Sequence, residues 1–136
     1  KVEGIVCKKA DNLEQAEVVW KERNVPILED SDGSLIEKLR PFAVVDAILA
    51  KKNIGTSKSM APVTIALGPG FTAGIDVDAV IETKRGHNLG RIYYQGSAAP
   101  NTGIPGIIAG YVKEKGICTP VSWEWIPAIH VGFFHQ

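Results

Sequence analysis

Residues 42–48, Phe42-Ala43-Val44-Val45-Asp46-Ala47-Ile48, run apolar on both faces of an extended chain. A strand of that kind has to be covered from both sides, as strands of parallel sheets flanked by helices are, so it constrains the fold more than any other segment. What precedes it agrees. Val2, Ile5 and Val6 around Gly4 read as a short strand, and Asp11 or Asn12 stands in a capping position before a helical stretch over 13–23. In that stretch Leu13, Ala16, Val19 and Trp20 share one face, and Asn24 closes it. Val25-Pro26-Ile27-Leu28 is the next short strand, its proline favouring an edge. Asp30-Ser31-Asp32-Gly33 supplies a turn, and 34–39 form a short helix stopped by Pro41. Residues 1–48 thus spell β-α-β-α-β, which predicts an α/β fold with a Rossmann-like portion built on a parallel sheet.

Residues 51–61 form a polar break that carries Lys51, Lys52 and Lys58 together with Gly55, Ser57 and Ser59. Beyond it, 62–67 read as a strand, 75–81 as another with Asp76 and Asp78 on one face, and 91–94 as a third after the Asn88-Leu89-Gly90 turn. Short glycine turns between strands predict a mixed or antiparallel β-rich region. Residues 96–106 suit an ordered loop, and the apolar, aromatic end over 119–136, with Trp123 and Trp125, should pack on this chain or on a neighbour. The expected organisation is a partial Rossmann-like α/β unit over 1–50 and a β-rich, glycine-bearing region over 61–136 packed on it, as two units or as one domain.

Composition narrows the function classes. The chain has 136 residues, and its 15 basic and 15 acidic side chains cancel. No whole-molecule field draws it to nucleic acid or to an anionic membrane, so neither is expected as a partner. Cys7 and Cys118 lie far apart, which predicts two buried thiols and a reducing, cytoplasmic setting. No run approaches the ~18 apolar residues of a membrane span, and the first residues lack the apolar core of a signal peptide. The absence of an initiating methionine implies that something upstream was removed or left out.

The glycine- and charge-rich stretch 67–91 holds most of the chemistry. Gly68-Pro69-Gly70 follows an apolar strand and reads equally as a backbone anion cradle or as a tight turn; it matches neither a P-loop nor a dinucleotide fingerprint. Backbone groups over 68–74, with Gly68, Gly70, Thr72 and Gly74, would serve the first reading. Glu82, Arg85, His87 and Arg91 fall within one short connection, where a guanidinium and an imidazole could surround a carboxylate or phosphate; the alternative is a hairpin turn with exposed polar residues. Asp76 and Asp78, two apart on a strand, could offer oxygen ligands to a divalent metal with Glu82 and His87 nearby, or simply form the solvent face of a half-buried strand. Asp46 ends the best parallel strand, where open α/β sheets bind ligands. Lysines 51, 52 and 58 could serve an anion or be merely solvated, Cys118 has no neighbour in sequence to activate it, and His130 and His135 read as packing or tail residues.

Four blocks carry a resemblance: 41–56, from Pro41-Phe42-Ala43-Val44-Val45-Asp46 to Ile54-Gly55-Thr56; 67–83, from Leu67-Gly68-Pro69-Gly70 to Ile81-Glu82-Thr83; Arg85-Gly86-His87-Asn88-Leu89-Gly90-Arg91; and Gly96-Ser97 through Asn101-Thr102-Gly103-Ile104-Pro105-Gly106. Over about residues 1–115 the chain resembles the YqeB family of selenium-dependent molybdenum hydroxylase system proteins. The tail after Lys115 departs from that pattern, and members of the family are longer, with an upstream glycine-rich β-α unit. The resemblance implies a cytoplasmic accessory role in maturing molybdenum hydroxylases, with a hydroxylase or its maturation proteins as partners. With the site reading, it implies an anionic cofactor such as a nucleotide, pterin or molybdate-type anion, held by Asp46, Gly68, Gly70, Thr72, Gly74, Glu82, Arg85, His87, Arg91 and Asn101. Catalytic residues are left open. A chain without its upstream half would have apolar edges to cover, so a homo-oligomer is expected. Two alternatives stand beside this reading: a non-catalytic self-assembling or partner-docking module, and a divalent-metal-assisted enzyme.

Overall fold

The computed structural model describes residues 3–48 and 50–101. The aromatic stretch 119–136, Cys118 and nearly all of the loop 96–106 beyond Asn101 lie outside the described residues, as do His130 and His135.

The first part is a β-α-β unit. Strand β1 (Cys7–Lys9) pairs in parallel with β2 (Val25–Ile27), and helix α1 (Leu13–Lys21) joins them. Asn12 is the N-cap: its Oδ1 accepts from the Gln15 amide at 2.9 Å, while Gln15 Oε1 accepts from the Asp11 amide at 2.9 Å, a reciprocal cap that fixes the start. Ala16 and Val19 form the buried face. The helix stops at Lys21, two residues earlier than its apolar spacing suggests. There Arg23 turns left-handed (φ 58°), and the amides of Arg23 and Asn24 bond the carbonyls of Trp20 and Val19 in a Schellman closure. Gly4 at φ 84° sits in a turn, so the first described strand begins at Cys7 and not at Ile5–Val6, and Val2 lies outside the described residues.

Helix α2 (Ser34–Leu39) follows, opened by Asp30 and Asp32 carboxylates on the Leu35 and Ser34 amides. Arg40 then takes a left-handed conformation ahead of Pro41. Strand β3 (Ala43–Asp46) does not pair with β1 or β2 among the described residues. It heads a second, four-stranded mixed sheet, in which β3, β4 (Val63–Leu67) and β6 (Ala79–Ile81) run parallel and β7 (Ile92–Tyr93) runs antiparallel to β6. The expected α/β class holds, with several sheets and few helices, but the β-α-β-α-β run does not form one sheet among the described residues, because β3 joins β4. Strand β2 is short and largely exposed, with a proline that removes one ladder donor, as an edge strand would be.

The chain returns from β4 to β6 through a loop and not a helix. That loop contains β5 (Thr72–Ala73), which pairs with β8 (Gly96–Ser97). The strand expected over 75–81 shrinks to Ala79–Ile81, because 74–76 turn and the amides of Gly74 and Asp76 bond Val77 and Thr72 carbonyls. Ala66, Phe71, Ala73, Val77, Val80 and Ala98 close over one another as the core, with Tyr93 against them. Among the described residues no helix is long and apolar enough to cross a membrane.

Candidate functional site

Three parallel strands end on one edge of the mixed sheet, at Asp46, Leu67 and Ile81. The loops leaving these ends are packed onto one another through glycine. Gly68 (φ 89°) lies against Thr83, whose Oγ1 would be 2.7 Å from any added Cβ. Gly70 (φ 101°) lies against the Lys51–Lys52 backbone, where a Cβ would meet Lys52 N at 2.7 Å and Lys51 C at 2.9 Å. Its carbonyl accepts from the Asn53 amide at 3.2 Å. Both positions need glycine, for the positive φ and for the space. The Gly68-Pro69-Gly70 turn is thereby wedged between Lys51–Lys52 on one side and Thr83 on the other. Lys51, Lys52, Lys84 and Arg85 are all exposed, and none of the four makes a side-chain hydrogen bond or ion pair among the described residues.

The carboxylates on this edge each hold donors of the chain. Asp46, 3% exposed, accepts from the Ile48 amide at 3.0 Å and from Thr56 Oγ1 at 2.5 Å. Glu82, 2% exposed, accepts from the Lys84 amide through Oε1 and the Ala99 amide through Oε2, each at 2.8 Å. Burial pushes the Glu82 carboxyl up, but the Ala99, Lys84 and Thr83 amides and the Lys84 charge outweigh it, so the group sits below the ordinary glutamate value. Glu82 therefore ties the 82–91 connection to the 98–99 segment and does not gather with Arg85, His87 and Arg91 around a ligand. Arg85 and His87 are exposed on that connection, and the Arg91 guanidinium lies over the Tyr93 ring at 5.7 Å.

The remaining expected residues serve the backbone. The Thr72 amide donates to Asp76 Oδ2 at 2.8 Å, Thr72 Oγ1 pairs with Ser97 Oγ at 3.0 Å, and Gly74 is an exposed turn residue. Asp78 Oδ2 accepts the Thr64 amide and hydroxyl at 2.8 and 2.9 Å, and its Oδ1 lies 3.1 Å from Lys58 Nζ. The Thr64 amide foremost, then Lys58 and the Thr64 hydroxyl, hold the Asp78 carboxyl below its ordinary range. Asp76 and Asp78 thus face separate partners, and among the described residues no three His, Cys, Asp or Glu side chains gather as a metal site. Asn101 is exposed.

A second feature has no counterpart in the sequence reading. Between α2, β3 and the 54–62 segment lies an open cleft of about 1090 Å³. Ile36 and Val44 form its buried apolar floor, Asp46 its buried carboxylate, and Thr56, Ser57 and Ser59 a hydroxyl wall. Val44 and Asp46 share a strand face by their spacing of two, Ile48 follows just beyond the strand, and the 53–56 turn is held by Asn53 Oδ1 on the Gly55 and Thr56 amides. That alternation was visible in the sequence; the approach of α2 was not.

These features define an α/β domain with a basic rim at the carboxyl ends of three parallel strands and an acidic, hydroxyl-lined cleft behind it. The chain is similar to "Uncharacterized protein YqeB" of Escherichia coli (strain K12), 50% identical over 121 residues, which are 89% of this chain and 22% of that protein. It spans about a fifth of the length of that curated relative. No family model and no solved structure matches it.

Proposed function

We propose that this domain binds a small polyanion at the rim formed by Lys51, Lys52, Lys84 and Arg85, as part of an accessory protein in the maturation of selenium-dependent molybdenum hydroxylases. The single observation that carries the binding half is the wedging of Gly68-Pro69-Gly70 between the Lys51–Lys52 backbone and Thr83, the neighbour of Lys84. It brings together the exposed segments that carry these four cations, where open α/β sheets take ligands, while the acidic groups of that edge accept backbone or hydroxyl donors. The maturation half rests on the resemblance of the 41–56, 67–83 and 85–91 blocks to the YqeB family, supported by the likeness to the Escherichia coli protein. On this reading the β-α-β unit and the β3–β4–β6 sheet are parts of a Rossmann-like nucleotide-type scaffold, the protein works in the cytoplasm, and catalysis is not required.

A ligand that binds only the folded state raises the melting point, by about 2.7 kcal/mol of stability at a hundredfold excess over Kd. Pyrophosphate, molybdate and ADP are the probes. Upward shifts that vanish in a Lys51→Ala/Lys52→Ala/Arg85→Ala variant support the rim; no shift with any probe at millimolar concentration overturns it.

One observation favours a second reading, a partner-docking module: Ile75 and Tyr94 are 75% and 71% exposed, and the backbone brings residue 74 beside the Tyr94 carbonyl. Light scattering on an Ile75→Ser/Tyr94→Ser variant tests it, since an assembly built on that patch dissociates and any other persists.

A further inference from the structure

The cleft behind the rim has the opposite charge, and it carries its own binding chemistry. We propose that it binds an uncharged ring bearing neighbouring hydroxyls, either the ribose of a nucleoside or a free sugar. Its volume of about 1090 Å³ is at the upper end for small-molecule sites. Ile36 and Val44, 5% and 2% exposed, offer the floor an aliphatic surface for the C–H face of a ring.

The polar groups suit donors. Asp46 is buried and held in place by the Ile48 amide and the Thr56 hydroxyl, one bond to each oxygen. A carboxylate has about four acceptor sites, so each oxygen keeps room for a hydroxyl proton from a ligand. Ser57 and Ser59 hydroxyls lie 2.7 Å apart, and only one of their two protons is used between them. The other proton and the remaining lone pairs are the donor and acceptors a diol needs.

Charge excludes the ligands of the rim. Asp32, Glu37 and Asp46 line the cleft against one guanidinium, that of Arg40, and a phosphate entering it would meet a net negative wall. Lys58, which stands between the lining residues Ser57 and Ser59, is paired with Asp78. The proposal therefore stands on residues other than the rim cations, and an uncharged probe tests it whether or not pyrophosphate binds.

The experiment is calorimetric titration of the full chain with adenosine, 2′,3′-dideoxyadenosine, ribose and glucose. Binding of adenosine alone assigns the cleft to nucleosides, and binding of ribose or glucose as well assigns it to free sugars. In either case removing the diol, or the Ser57→Ala/Ser59→Ala double substitution, weakens binding more than about tenfold, the loss expected when the hydrogen bonds of the diol go unmet. Ser59→Trp, which fills the cleft from an exposed position on its wall, abolishes binding. The proposal is overturned if none of the four binds at millimolar concentration, if dideoxyadenosine binds as tightly as adenosine, or if a folded Ser59→Trp variant binds unchanged.

Discussion

Replacing Glu82 by glutamine tests whether this carboxylate is the clamp of the rim or one of its ligand contacts. The two oxygens each accept one backbone amide at 2.8 Å, from Lys84 and from Ala99, on a side chain that is 2% exposed. Glutamine keeps the shape but turns one acceptor into an NH2 group facing an amide N–H, so one bond is lost and the other falls from charged to neutral strength. A bond to a charged acceptor contributes about 1.5–3 kcal/mol and a neutral one about 1, so the substitution should cost about 2–5 kcal/mol. For a chain of 136 residues that is a fall in Tm of roughly 6–20 °C, at roughly 3–4 °C per kcal/mol.

The pH dependence supplies a sign that packing alone cannot. The folded Glu82 carboxyl lies below its ordinary value of 4.5, so its contribution is fully present above that value and is lost as pH falls through the folded pKa. The gap between wild type and Glu82→Gln, measured by thermal melting from about pH 7 to about pH 3, should therefore be wide at neutral pH and close on the acid side. Other carboxylates titrate in both proteins and cancel in the difference. A neutral-pH drop under about 2 °C, or a gap that stays constant down to about pH 3, would refute the clamp.

Gly70→Ala should destabilise by about 3 kcal/mol or more in chemical denaturation, because a Cβ at φ 101° drives into the Lys51–Lys52 backbone, which cannot swing away like a side chain. Gly86→Ala, with nothing within 4 Å of its added Cβ, pays only for its φ of 131° and should cost less, which makes it the control. Asn12→Ala removes the acceptor of the Gln15 amide and should cost about 1 kcal/mol, read by the same melt, with faster hydrogen exchange in the first turn of α1. Arg23→Gly should stabilise by about 0.5–1 kcal/mol, since a left-handed residue (φ 58°) closes that helix and glycine takes the conformation without strain.

The local parts of the fold were legible because their causes are local. Asn12 caps the residue three positions on, Pro41 follows the end of α2, and the two-faced apolar run 42–48 could hardly be anything but β3. The misplaced strand over 75–81 has an equally local cause: Asp76 and Asp78 alternate with Ile75 and Val77 just as a half-buried strand would. Yet a carboxylate two or four residues from an amide is also the signature of a turn cap, and Asp76 spends its oxygen on Thr72. Partner choice in the sheets was not legible, since β2 and β4 present similar short apolar runs to β3. Nor was the fate of Glu82, because its second partner, Ala99, lies 17 residues away. Lys51 and Lys52 looked like an ordinary solvated loop; what sets them apart is the backbone of Gly70 against theirs, a tertiary contact for which a glycine after a strand is the only written hint.

A net charge of zero says nothing of where the charges lie, and among the described residues the rim carries lysines and an arginine while the cleft is lined by Asp32, Glu37 and Asp46 against Arg40. The segment between β3 and β4 is the divider. On one side Asp46 and Thr56 hold each other at the head of the cleft, and on the other Lys51 and Lys52 rest against Gly70 at the rim. Asn53 belongs to both, since its amide bonds the Gly70 carbonyl and its side chain binds the backbone of Gly55 and Thr56. A molecule drawn to the rim and a molecule seated in the cleft would thus press on opposite faces of the same short stretch of backbone. Asn53 is a hydrogen-bonded link between the two, and any free-energy coupling between them acts equally in both directions by linkage.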